Sequence, residues 1–147
     1  MTASGRELRG RSLHPGTARA TLLLLKEPLS FWGGVNEEGT VIDRHHPQVG
    51  ASLTGQVLAM PSGRGSSSST AVLAELVRSG HGPSGIVLAE CDTILVIGAL
   101  VAAEMYGALL PIVELDQHTF ADLSDGSMVE MVAQQAPLEA TIRLEGA

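Results

Sequence analysis

Cysteine, lysine and aromatic residues are scarce in this chain of 147 residues, and each scarcity excludes something. Cys91 is the single cysteine, so no disulfide framework can form within the chain, which suits a reducing cytoplasm. One thiol also cannot hold an iron–sulfur cluster, which usually takes about three or four. Lys26 is the single lysine, the arginines are dispersed and the net charge is −7, so the clustered cations that a phosphate backbone needs are missing and nucleic acid is not an expected partner. The longest apolar run, 94–103, is too short for a bilayer, which takes about 20 residues. No signal peptide is expected, because Arg6, Glu7, Arg9 and Arg11 interrupt the start and no apolar stretch follows directly. With aromatics at 3%, the core must be filled by Leu, Val, Ile and Ala.

What is present is the composition of one folded domain. Apolar residues at 44% are too many for disorder, and charged residues at only 17% suggest that part of the surface does not face water. A chain this long can bury roughly two-thirds of the surface it would expose unfolded. Residues 1–5 are expected to form a loose end. Strands are expected over 7–13 and 17–25, joined by a turn at His14-Pro15-Gly16. In the second, Ala18, Ala20, Leu22 and Leu24 share one face, and the leucine-rich end implies that both faces become covered. Residues 27–56 hold little regular structure beyond a short strand over 40–43, and long irregular connections in a domain are usually functional.

From 56 onward the pattern becomes regular. A strand over 56–60, a helix over 68–79 ended by Gly80 and a strand over 85–89 come first. A helix over 93–106, capped by Asp92 and stopped by Gly107, and a strand over 110–115 follow. This β-α-β-α-β order calls for parallel pairing. A loop over 116–126 leads to strands over 127–132 and 138–144; in the last, Leu138, Ala140, Ile142 and Leu144 alternate with polar residues. The expected fold class is α/β, a mixed, barrel-like sheet in which hairpin-type strands flank a parallel core. The 93–106 helix lacks a polar face over most of its length, which points to a covered subunit interface.

The segment Met60-Pro61-Ser62-Gly63-Arg64-Gly65-Ser66-Ser67-Ser68-Ser69 is the richest in chemistry. Pro61 stops a strand, Gly63 and Gly65 suggest a tight turn, and a helix follows. That order aims free backbone N–H groups at one point, beside the fixed charge of Arg64, and makes a site for an anion or for a group that becomes one. One hydroxyl suffices to cap the helix, and a capping box is missing: Ser68 is followed at the required spacing by Ala71, and Ser69 by Val72. Several hydroxyls are therefore left over. No Gly-Lys-Ser/Thr occurs, so this is not a phosphate loop of that type, and the match of Gly63, Gly65 and Ser68 to a dinucleotide fingerprint is weak. Helix N–H groups and Arg64 would favour a serine alkoxide and so make a serine into a base. A nucleophilic serine would want a His base and an orienting acid, and Gly-x-Ser-x-Gly is absent.

Phe31-Trp32-Gly33-Gly34 is either a core plug with a turn or the wall of a pocket. His45-His46 diverge on an extended chain and have no further ligand at metal spacing, so a solvated or partner-facing loop is expected. His14, His81 and His118 are expected at the surface, and Cys91 as a buried structural thiol.

Leu29-Ser30-Phe31-Trp32-Gly33-Gly34-Val35, His45-His46-Pro47 and Pro61-Ser62-Gly63-Arg64-Gly65-Ser66-Ser67 together resemble the small subunit of the aconitase X family, over about 10–115. The resemblance implies a single swivelling β/β/α domain over 1–147, working with a larger, cysteine-bearing subunit that holds an iron–sulfur cluster and most of the substrate pocket. It implies a dehydration of a small hydroxy acid, cis-3-hydroxy-L-proline first and mevalonate 5-phosphate second. Ser66 would be the proton-abstracting residue. Arg64 would bind an acidic group, with Gly65, Ser67, Trp32, Gly33 and Gly34 around the substrate; no metal ligand falls on this chain. The segment departs from the family's commoner Gly-Ser pair by having Ser69-Thr70. A related swivelling phosphohistidine domain would need a His between Met60 and Ser79, where none occurs. The rival from another class is a stand-alone module that binds a phosphate or nucleotide without chemistry.

Overall fold

A computed structural model describes residues 6–145, so the loose end expected over 1–5 lies outside the described residues. The chain opens with β1 (Arg6–His14) and β2 (Gly16–Leu24), separated only by Pro15. The turn occurs where expected, but the two strands do not form a hairpin. β2 instead pairs in parallel with β3 (Val57–Met60), which continues in parallel to β4 (Gly85–Leu88) and then β5 (Ile112–Glu114). β1 runs antiparallel to β5, on the far side of the parallel set. The true hairpin is β6 (Met128–Ala133) with β7 (Glu139–Glu145), and it joins β2 to β1 so that the sheet closes into a barrel. The mixed, barrel-like α/β fold expected from the sequence is thus the one observed.

Closure gives every central strand two apolar environments. Val57 and Ala59 of β3 and Val87 of β4 point into the barrel, with Val129, Met131 and Ile142 opposite. Leu58, Met60, Ile86 and Leu88 point outward into a second core. All residues of β3 and β4 are buried, which is why these strands read as continuous apolar runs rather than alternating ones. Ala18, Ala20, Leu22 and Leu24 share the barrel face as anticipated, whereas Leu23 and Leu25 pack in the outer core. In the last strand Ala140 and Ile142 are buried, but Leu138 lies before β7 begins and is exposed.

The outer core is roofed by α2 (Ser69–Ser79), α3 (Thr93–Tyr106) and the long connection over 27–56. α2 ends at Gly80 and α3 at Gly107, both in the left-handed conformation, with φ of 82° and 67°. Asp92 caps α3 by accepting the Ile94 N–H at 2.9 Å. The long connection is irregular but packed: Leu29, Phe31, Val35, Val41 and Leu53 are buried and do the work of a third helix. It holds one short helical turn, α1 (Phe31–Gly34), broken at Trp32 and Gly33. The strand expected over 40–43 is reduced to isolated bridges, Val35 with Val41 and Thr40 with Ser52. Asn36 explains the reduction, because its Oδ1 accepts both the Glu38 and Thr40 N–H at 3.0 Å and turns the chain back on itself. The loop expected over 116–126 contains a helical turn, α4 (Gln117–Phe120), capped by Asp116.

Three single-residue expectations are corrected. His14 is buried, its Nδ1–H donating to the Leu110 carbonyl at 2.9 Å. His46 is also buried, accepting the Gln48 N–H at Nδ1 and donating from Nε2 to the Glu27 carbonyl, so it is a structural tie of the long loop. Cys91 is exposed rather than buried. Partial burial and the neighbouring Glu114 carboxylate push its thiol above the usual range. His45, His81 and His118 are at the surface as expected.

One glycine shows how tightly β1 lies on β5. A Cβ on Gly10 would stand 2.5 Å from the Glu114 carbonyl oxygen and 2.7 Å from the Leu115 side chain. Gly10→Ala should therefore cost about 1–3 kcal/mol through overpacking, read as a lower urea midpoint with an unchanged slope.

Candidate active site

Because β2, β3, β4 and β5 are parallel, their carboxyl ends lie on one edge, and the connections leaving that edge meet there. The segment after β2 supplies Leu29 to Gly34, the segment after β3 supplies Pro61 to Ser69, and the segment after β4 supplies Ala89 to Asp92. They are tied together by backbone. Leu29 and Gly63 form a parallel bridge, and the Arg64 N–H donates to the Leu29 carbonyl at 3.3 Å. The Pro61 carbonyl accepts two N–H groups, from Ala89 at 3.1 Å and Glu90 at 3.0 Å.

The hydroxyls divide their duties in a way the sequence did not reveal. Ser68, expected at the start of the helix, has helical backbone angles and makes no side-chain cap. Ser66 takes that part: its Oγ accepts the Ser68 N–H at 3.2 Å, and its carbonyl accepts the Ser69 N–H at 2.9 Å. Ser69 is buried and its Oγ accepts the Trp32 N–H at 3.1 Å, pinning the Phe31–Gly34 turn to the start of α2. Thr70 donates to the Ile94 carbonyl at 2.8 Å and ties α2 to α3. Ser67 and Ser68 stay exposed.

Ser66 therefore sits half-buried at the N-terminus of α2, where the helix dipole amounts to about half a positive charge. No acidic residue lies in the first turn of α2 to cancel it. A hydrogen bond donated to Oγ and a positive helix end both stabilise charge on that oxygen. Arg64 is exposed, and among the described residues its side chain joins no ion pair. Its guanidinium is thus open to an acidic ligand. Gly65 has no heavy atom within 4 Å of where its Cβ would stand, so a ligand can approach its backbone closely. Trp32 is 59% exposed, Gly33 is exposed with φ of 80°, and Gly34 is buried against Leu29.

The expected tight turn at Gly63 and Gly65 is not formed: Gly63 bridges to Leu29, Gly65 is irregular, and the turn comes at Ser67–Ser68. Gly63 is needed for room. Its Cβ would lie 1.8 Å from Oδ2 of Asp92, whose other oxygen caps α3. Sequence reasoning placed Asp92 as a cap but not as the wall behind Gly63, because that contact joins two different strand ends. Ser69 was missed as the tie to Trp32 for the same reason.

The chain's side chains do not fit an iron–sulfur cluster. Cys91 is one thiol held protonated, and among the described residues no three His, Cys, Asp or Glu side chains gather at metal spacing. Among the described residues no helix is long and apolar enough to cross a membrane.

The Gly63–Asp92 contact has a measurable consequence. Gly63→Ala should push the Asp92 carboxylate off the Ile94 N–H and cost about 0.5–2 kcal/mol, the usual worth of a helix cap. In an Asp92→Ala background the same change should cost much less, which a double-mutant cycle by urea unfolding would measure.

Comparisons with known proteins identify the family and the fold. A family model described as the aconitase X swivel domain matches residues 7–140. Cis-3-hydroxy-L-proline dehydratase of Pseudomonas aeruginosa is 44% identical over 138 residues, which cover 88% of this chain but 24% of that protein. The chain thus spans about a quarter of that relative's length. The phosphomevalonate dehydratase small subunit of Methanosarcina acetivorans is 30% identical over 135 residues, covering 90% of both chains. In three dimensions the fold is similar to the crystal structure of Thermococcus kodakaraensis aconitase X in its holo-form. The TM-score is 0.80 at 30% identity, over 94% of this chain and 98% of the other. With the family model matching nearly the whole described chain, the protein belongs to the aconitase X swivel-domain family.

Proposed function

We propose that this chain is the small subunit of a heteromeric hydro-lyase that dehydrates a small hydroxy acid, with Ser66 as the proton-abstracting base. The observation that carries the reading is the placement of Ser66 Oγ at the N-terminus of α2, receiving the Ser68 N–H, two residues after the exposed Arg64. In this role Ser66 removes the proton from the carbon adjacent to the one bearing the hydroxyl. The C–H electron pair becomes the new double bond as the C–O bond breaks, and the hydroxide that leaves becomes water by taking up the proton that Ser66 removed. Arg64 holds the substrate's acidic group, and the Gly65 backbone allows that group to come close. Trp32 and Gly33, with Ser67, border the substrate, and Gly34 supports them from beneath.

A Lewis acid would ease departure of the hydroxyl, and the family resemblance implies an iron–sulfur cluster that the larger subunit would hold. Two features support the existence of that partner. The relative from M. acetivorans is named a small subunit, and the one from P. aeruginosa carries most of its length outside the matched region. α3 also exposes Ile97, Leu100 and Met105, an apolar surface that a larger chain would cover. The higher identity to the P. aeruginosa dehydratase favours cis-3-hydroxy-L-proline as substrate, with mevalonate 5-phosphate as the second choice.

Ser66→Ala in the assembled pair should lower turnover by at least about 100-fold, the low end of what a general base contributes, while leaving assembly intact. Steady-state kinetics and size-exclusion chromatography read the two effects. Near-normal turnover would remove Ser66 from the role of base. Nucleotide or phosphate binding by the isolated wild-type chain in calorimetry would favour a stand-alone anion-binding module.

A further inference from the structure

Beside the catalytic edge, a groove of about 1070 Å³ runs between the 31–38 connection and the outward face of α2. Its floor is apolar, built on Phe31, Val35, Val72 and Leu76. Among the described residues its unpaired acidic lining is Glu37 and Glu38 on the loop side; Glu75 on the helix side is paired with Arg78, and no lysine or arginine is among the lining residues. Along α2 it extends from Ala71 to Ser79, a rise of about 12 Å at 1.5 Å per residue. That length fits about four residues of extended chain or two turns of helix.

The groove is continuous with the site. Trp32 and Gly33 line it, and the Trp32 N–H is held by Ser69, three residues after Ser66. Whatever fills the groove packs against the indole, which is the most exposed aromatic side chain at this edge. An occupant would therefore rest against the Phe31–Gly34 turn that Ser69 ties to the start of α2.

We propose that this groove is the docking site for a basic segment of the larger subunit, one with an apolar anchor flanked by lysine or arginine. The proposal rests on the heteromeric reading above and adds to it a specific surface and a partner chemistry. Charge complementarity carries the choice of occupant. An apolar floor takes the anchor, and the two unpaired carboxylates of Glu37 and Glu38 favour cations and repel a second copy of a chain whose net charge is −7. Seating the segment would bring the larger subunit against the Trp32 indole, at the border of the proposed site.

The test uses the intact chain labelled with 5-fluorotryptophan, which gives one ¹⁹F resonance because Trp32 is the single tryptophan, mixed with the unlabelled larger aconitase X subunit of the same organism. The wild-type resonance should shift on complex formation. The double variant Glu37→Lys/Glu38→Lys, on an exposed loop, should retain its circular dichroism spectrum yet bind at least about tenfold more weakly. Added salt should narrow that difference between the two proteins. An unshifted resonance, with equal affinity of wild type and variant, overturns the groove assignment while leaving the role of Ser66 intact. Failure of the wild-type chain to bind the larger subunit at all overturns the heteromeric reading and this proposal with it. Concentration-dependent dimerisation of the chain alone, altered by the same variant, would assign the groove to a second copy and overturn it as well.

Discussion

Both faces of the parallel strands have to be kept from water, and most of the architecture answers that demand. β3 and β4 carry apolar side chains on each side, so one face needs a barrel interior and the other a roof. The β6–β7 hairpin closes the interior by bridging β2 and β1. α2, α3 and the 27–56 connection form the roof, and Leu58, Met60, Ile86 and Leu88 are fully buried as a result. Once the strands are parallel and enclosed, their carboxyl ends can only open onto one edge, and the segments bearing Trp32, Arg64 and Asp92 are brought together there.

That convergence was partly legible in the residues. Helix limits at Gly80, Asp92 and Gly107 follow from local chemistry, a left-handed glycine or a side-chain cap, and local chemistry is visible in a sequence. The apolar strands at 57–60 and 85–88 are visible for the same reason. Long-range pairing is not local. A one-residue connection at Pro15 looks like a hairpin turn, and only the closed barrel shows that β1 and β2 take different neighbours. His14 and His46 look like surface residues until the carbonyls of Leu110 and Glu27, distant in the chain, arrive to satisfy them.

The serine run illustrates the same boundary. The absence of a capping box indicated that the hydroxyls had more to do than end a helix, and the structure gives two of them distinct partners. Ser66 takes the capping N–H and so acquires a positive surrounding, while Ser69 is withdrawn into the core to hold Trp32. Which serine does which depends on where the Phe31–Gly34 turn lies, and that turn is placed by the packing of Leu29 and Phe31 together with its tie to Ser69. Glycine at 63 likewise has its reason in Asp92, on another strand end.

The proposed function makes this chain one half of a site, with Ser66 as base and Arg64 as anion clamp, while among the described residues no group of metal-ligating side chains gathers to bear a cluster. Titration of the chain into a fixed amount of the larger subunit, with dehydration of cis-3-hydroxy-L-proline followed spectroscopically, addresses that claim most directly. Each chain alone should be inactive, and turnover should rise with added small chain until it saturates at a fixed ratio. Full turnover by the larger subunit alone, or no turnover of this substrate or of mevalonate 5-phosphate by an assembled pair, would contradict the account.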